Sequence, residues 1–345
     1  VNALQGSRAL ILLALVAFVV RASSAAEPPP ALTPQEPVLD PRAPGFFDYL
    51  QFDDKYRRLL VAHTGSRTLD VIDVNNNSIL RQESVGDAHG IAVDIKDGKY
   101  FVGTSRPAYV VVLGRKFMVK DDQIPVGGPI DAVAFDPNND MVYADRFDNN
   151  SIVVVNGKSN KVTNTIPIGG GLEYIIYDPG TDRIYQNVES TGDIVVIDPK
   201  LNRIIANWHA APATQLHGLA VDSVTHRLFT AGGNGKLAVV DATSGALIAT
   251  VDIAPSVDQI AFDPGLRRVY CASSLGLLSV VQETATGAEH IADITVPRRT
   301  HSVAVDPVTH AVWVAYAASD DDYVLKLVPP AGANIASTPA PSASP

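Results

Sequence analysis

The 345-residue sequence predicts an all-β fold, a seven-bladed β-propeller of four-stranded antiparallel blades. Three observations carry that expectation. An Asp that closes a short apolar run recurs as Asp53, Asp94, Asp136, Asp178, Asp222, Asp263 and Asp306, at spacings of 41, 42, 42, 44, 41 and 43 residues. The intervals hold short β-branched or aromatic runs, mostly four to a repeat, with turn residues between them. Helical periodicity is nearly absent outside the N-terminal segment.

The clearest unit runs from Gly128 to Ile168. Pro129–Pro137, Met141–Ala144, Ser151–Asn156 and Lys161–Ile168 read as four strands of a meander. Asp136-Pro137 starts one turn, since the Asp side chain accepts backbone N–H bonds and Pro presets φ. Asn156-Gly157 makes another, where Gly tolerates positive φ.

The remaining blades follow this block. Blade one starts at Phe46–Asp53 and continues through Leu59–Ala62, Leu69–Asp73 and Ser78–Val85. Blade two is the least regular: Tyr109–Leu113 leads into Gly114-Arg115-Lys116, and its outer strand is expected to be ragged before Gln123–Val126. Blades four and five keep clear third strands at Asp193–Asp198 and Leu237–Asp241, and blade six ends its third strand at Leu278–Val281. Blade seven offers only His301–Asp306, Val312–Tyr316 and Tyr323–Val328. Its missing outer strand is expected from the leader around Pro37–Asp40, because closing the ring leaves fewer free sheet edges. Pro is tolerable on an outermost strand, which can spare N–H bonds.

The two ends of the chain read differently. Arg8, the apolar run Ala9–Val20 and the small residues Ala22–Ala26 have the layout of a signal peptide over residues 1–26. The run is short for a bilayer span, so no membrane span is expected after cleavage. A leading Val read as a GUG start points to a bacterial source, and the expected address is periplasmic or secreted. Residues 27–44 form a Pro-rich leader, residues 45–328 the propeller, and residues 329–345 a Pro/Ala/Ser tail without charge that reads as disordered. Losing residues 1–26 removes Arg8 and Arg21 and no acid, moving the net charge from −10 to −12. An acidic chain without a basic run is poorly suited to phosphate backbones, so no nucleic-acid partner is expected. The single cysteine, Cys271, excludes an internal disulfide and any Cys-based metal motif, and its strand context predicts a buried, inert thiol.

The first strand ending in Asp-Pro, the second ending in aromatic-small (Val142-Tyr143-Ala144, Ile184-Tyr185-Gln186-Asn187, Val269-Tyr270-Cys271) and the third strand Ile194–Asp198 resemble the YVTN-repeat, YncE-like family of seven-bladed propellers. The resemblance covers nearly all of residues 45–328, with Asp145 and Arg146 standing where the repeat's Thr-Asn pair belongs. It implies an exported propeller. Family members include binding proteins, and related propellers serve as lactonases or cofactor-bearing dehydrogenase subunits.

Counting back five residues from each repeat Asp gives Asp48, His89, Asp131, Glu173, His217, Asp258 and His301, an acid or a histidine in every blade. The first strand of a blade is innermost, so these seven positions are expected to ring one mouth of the central channel. Crowded carboxylates raise one another's pKa unless a cation balances them. The imidazoles can be that cation or can ligate a metal, and an oxygen–nitrogen set without thiolate suits a divalent transition metal. The loops between second and third strands open on the same mouth and bring His63, Arg106, Arg146, Asn187 and Glu189. Arg106 and Arg146 are candidates for a ligand carboxylate or phosphate, and His63 for a further ligand contact, although a surface-loop role competes for all three. The ring itself can equally be a solvated channel lining.

Other motifs fail. Gly169-Gly170-Gly171 precedes a strand, not a helix, and there is no nucleophile elbow or His-Glu-x-x-His. Asp320-Asp321-Asp322 reads as a solvated hairpin tip. The leading expectation is therefore a monomeric, non-catalytic exported propeller that binds a metal, small ligand or protein partner at the mouth. A lactonase-type hydrolase using the same mouth is the alternative, and a purely structural interaction module the third reading.

Overall fold

The computed structural model describes residues 32–40, 45–319 and 321–330. The expected signal peptide, residues 27–31 and 41–44 of the leader, Asp320 of the acid run and the tail beyond residue 330 lie outside the described residues. Seven antiparallel sheets follow one another in chain order as the blades of a propeller. Blade three shows the plan: Ile130–Asp136 innermost, then Met141–Arg146, Ser151–Asn156 and Lys161–Pro167 at the rim. Apolar faces of neighbouring blades meet to form the core. Phe101, Tyr143, Tyr185, Phe229, Tyr270 and Trp313, one from each second strand of blades two to seven, are completely buried between blades. Buried hydroxyls reach across: Tyr143 Oη donates to Asn202 Oδ1 at 2.9 Å, and Tyr185 Oη to the Ala242 carbonyl at 2.5 Å.

The repeat Asp does the turn work expected of it. Asp94, Asp136, Asp178, Asp222, Asp263 and Asp306 each accept the backbone N–H two residues on, at 2.8–2.9 Å. Four residues past each repeat Asp the backbone turns left-handed, with φ of +53° to +59° at Arg57, Asp140, Asp182, His226, Arg267 and His310. Blade two places Gly98 there, at +71°, where the missing Cβ removes the strain.

Two sequence expectations change. The outer strand of blade two is a full strand, Val119–Pro125, that absorbs its irregularity in one bulge between Lys120 and Asp122. The acid run before blade seven's last strand is not a solvated tip throughout, because Asp322 begins strand Asp322–Val328 and is completely buried.

Ring closure follows the predicted route. Val38–Asp40 pairs antiparallel with Asp322–Val328, and Thr33–Pro34 extends the same edge. Leu32 packs into the blade six–seven core. Arg57 of blade one forms a bidentate ion pair with the buried Asp306 of blade seven. Deleting residues 32–40 is expected to expose this edge, lower the melting temperature and promote self-association; an unchanged melt and a monomeric elution profile would contradict the role given to this strand.

Candidate functional site at the channel mouth

The first strand of each blade sets the site. Its entry residue stands five positions before the repeat Asp, and propeller symmetry brings the seven copies together. Asp48, His89, Asp131, Glu173, His217, Asp258 and His301 all line one cavity of about 410 Å³. Their side chains are between 12% and 43% exposed, half-buried in a bowl that solvent reaches. The bowl has a floor. Tyr49 and Tyr174, each next in sequence to a ring acid, face each other across the channel at 4.9 Å between ring centres. Gln259 Nε2 donates to Tyr174 Oη at 3.0 Å, while Gln259 Oε1 accepts the N–H groups of Leu50 and Val303.

Six of the seven fall into two compact groups, Asp48–His89–Asp131 and Glu173–His217–Asp258, in each of which three donor atoms lie within 4.8 Å of one another. In the first, His89 Nδ1 is hydrogen-bonded to Asp48, with Asp131 3.6 Å away, and Nε2 meets Ser105 Oγ at 2.9 Å. In the second, His217 Nδ1 stands 3.4 Å from Glu173 Oε2 and 3.5 Å from Asp258 Oδ1. His217 Nε2 faces Glu189 at 3.6 Å. His301 Nδ1 holds the other oxygen of Asp258 at 2.7 Å.

These neighbours set the titration. Burial pushes Asp131 well above the usual carboxylate range, and the charges of Asp48, Asp145 and Glu173 add to the rise. Asp145 lies completely buried beneath, accepting from the Ala132 N–H and Gln186 Nε2, and burial raises it to about 8. Burial also raises Asp48 and Glu173, against the pull of His89 and His217 respectively. Asp258 goes the other way: burial opposes its charge, but His217 and His301 outweigh that and hold it below the usual range. Burial alone would lower His217; the facing Asp258 and Glu173 instead raise it to about 10. His301 rises for the same reason, chiefly through Asp258. The mouth is thus a cation-seeking bowl in which imidazolium balances only part of the acid.

The loop residues fare differently. Arg106 is exposed and pairs through Nε with Asp87 at 2.8 Å, beside Arg67, which holds the other Asp87 oxygen at 3.0 Å. Arg146 folds back, donating to Asp148 and to the Val126 carbonyl and covering Gly127 and Gly128. It is therefore occupied within its own blade. His63 is not a loop residue: it ends strand Arg58–His63, completely buried, with Nδ1 2.9 Å from Asp70 and Nε2 2.7 Å from Asp322. Ser66 Oγ is 3.1 Å from the same Nε2. That constellation has the members of a nucleophilic triad, but both imidazole nitrogens already face buried carboxylates. Asn187 is buried too, donating to the His217 carbonyl at 2.6 Å and so fixing the backbone of that ring position. Cys271 is completely buried, and burial raises its thiol pKa. Sequence reasoning did not single out Ser105 or Tyr174; only their places beside ring positions marked them.

The fold is that of a seven-bladed β-propeller. No protein-family model and no curated protein sequence matches the chain. Among solved structures it is similar to a chain of Kuenenia stuttgartiensis hydrazine synthase, at TM-score 0.70 and 13% identity over 86% of this chain and 98% of that one. It is similar to a chain of the mitotic checkpoint complex, at TM-score 0.73 and 14% identity over 93% and 100%. The RRP9 WD40 repeats align at TM-score 0.75 and 9% identity over 88% and 99%. At these identities the likeness is one of fold.

Proposed function

We propose that this chain is an exported binding protein of the YVTN-repeat, YncE-like kind that takes up a divalent transition metal at its channel mouth. The observation that carries the reading is the ring itself: an acid or histidine from every blade, six of the seven drawn into two compact carboxylate–imidazole–carboxylate groups. Mixed oxygen and nitrogen donors without thiolate suit zinc, manganese, iron or copper. The bowl leaves room for a small ligand or a partner side chain to complete the shell. Export rests on the N-terminal charge, apolar run and small residues, and monomeric behaviour on a closed ring. Among the described residues no helix is long and apolar enough to cross a membrane.

Elemental analysis of the mature protein tests the proposal. Near-stoichiometric transition metal is expected in the wild type and little in a His89→Ala/His217→Ala/His301→Ala triple variant that keeps the wild-type β-sheet spectrum. Equal metal in both, or none in either, would refute it. A second reading, a scaffold that docks protein partners, draws support from the fold's likeness to a chain of the mitotic checkpoint complex. It predicts partner capture that chelators leave untouched.

A further inference from the structure

We infer that the ion is held in one half of the ring, by Glu173, His217 Nδ1 and Asp258, as a tetrahedral site with its fourth position open to the bowl. This deepens the metal-binding reading and depends on it. The two halves carry the same chemistry but not the same spacing. His89 Nδ1 is closed onto Asp48 in a hydrogen bond, and its Nε2 is held by Ser105, so that half satisfies itself with a proton. His217 Nδ1 is buried and makes no hydrogen bond, so an ion would take the place of the proton that its two acid neighbours otherwise favour there. Its two carboxylate neighbours stand at 3.4 and 3.5 Å, beyond the usual N–H···O range. Donors bound at about 2.1 Å to a tetrahedral ion lie about 3.4 Å from one another, so this spacing is that of an ion's coordination edge.

The surroundings fit such a site. Asp258 turns one oxygen to His217 and the other to His301, which fixes the carboxylate as a supporting hydrogen bond fixes a metal ligand. Glu189 faces the other nitrogen of His217. On the open side, a cavity of about 440 Å³ lined by His217, Asp258, His301 and Ser256 gives access to the fourth position. A three-ligand site with one open position accepts water or an exogenous anionic donor. The chemical class implied for a small ligand is therefore a carboxylate or similar hard anion bound to the ion.

Cobalt(II) tests this, because tetrahedral cobalt absorbs far more strongly in the visible than octahedral cobalt. Chelator-treated mature protein titrated with Co²⁺ is expected to bind one ion with an intense tetrahedral spectrum, and acetate should perturb that spectrum. His217→Ala and the shape-conserving Glu173→Gln should each weaken binding by more than about 100-fold, beyond the roughly 10–100-fold worth of a supporting residue. His301→Ala should fall within that 10–100-fold range, and His89→Ala should lose less than about 10-fold. Binding lost in His89→Ala but kept in His217→Ala, equal loss in both, or a weak octahedral spectrum would overturn the one-half site while leaving a metal-binding mouth standing. No Co²⁺ or Zn²⁺ uptake by the wild type would overturn both.

Discussion

Replacing Asp322 with Ala is expected to destabilise the protein by about 3–5 kcal/mol, the usual cost of removing one partner from a buried ion pair. Asp322 Oδ2 accepts from His63 Nε2 at 2.7 Å and from the Gly45 N–H at 2.9 Å, and Asp70 holds the other side of the imidazole at 2.9 Å. All three side chains are 0–1% exposed, so solvent cannot take over the lost contacts. Without Asp322 the His63 Nε2–H and the Gly45 N–H lose this carboxylate at the seam between blades one and seven. Urea unfolding with matched slopes measures the change. A loss under about 1 kcal/mol would show that the seam does not depend on this charge.

Arg115→Ala is expected to cost a similar amount, about 3–5 kcal/mol, for a different pair. Arg115 is 1% exposed and grips Asp53 of blade one through two nitrogens, with Tyr100 Oη donating to the same carboxylate at 2.6 Å. Burial opposes the Asp53 charge, but Arg115 and Tyr100 outweigh it and lower its pKa. A carboxylate with a lowered folded pKa lends stability above its ordinary pKa and loses it as pH falls through that range to the folded value. The Arg115→Ala deficit should therefore be largest near neutrality and shrink as pH drops below about 4. The double variant Arg115→Met/Asp53→Asn should lose less than either single substitution, since no charge is left stranded. A deficit independent of pH would assign the loss to packing.

The ring and the fold were legible in the sequence for the same reason. A repeat fixes where equivalent residues sit, so counting back from seven aspartates found seven residues that share one cavity. Repetition says nothing about how unlike neighbours pair. That His89 closes on Asp48 while His217 stands off from Glu173 depends on rotamers set by Ser105, Glu189 and His301, in three different blades. His63 was misread because its partner Asp322 is 259 residues away and reaches it only when the ring closes. Seen alone, the segment Ala62-His63-Thr64-Gly65 has the look of a strand running out into a loop. The fold-back of Arg146 was not legible for a local reason: the two glycines at 127 and 128 leave a bare backbone that its side chain covers.

The clasp between Val38–Asp40 and Asp322–Val328 sets an order of events during biogenesis. Blades two to six pair only strands that are neighbours in sequence, so each can zip soon after it emerges. The seventh sheet cannot be completed until the last strand is made. Until then the N-terminal strand must wait unpaired, as an extended segment open to wrong partners. Closure is thus the step at which mutation or truncation would divert the protein from folding to aggregation.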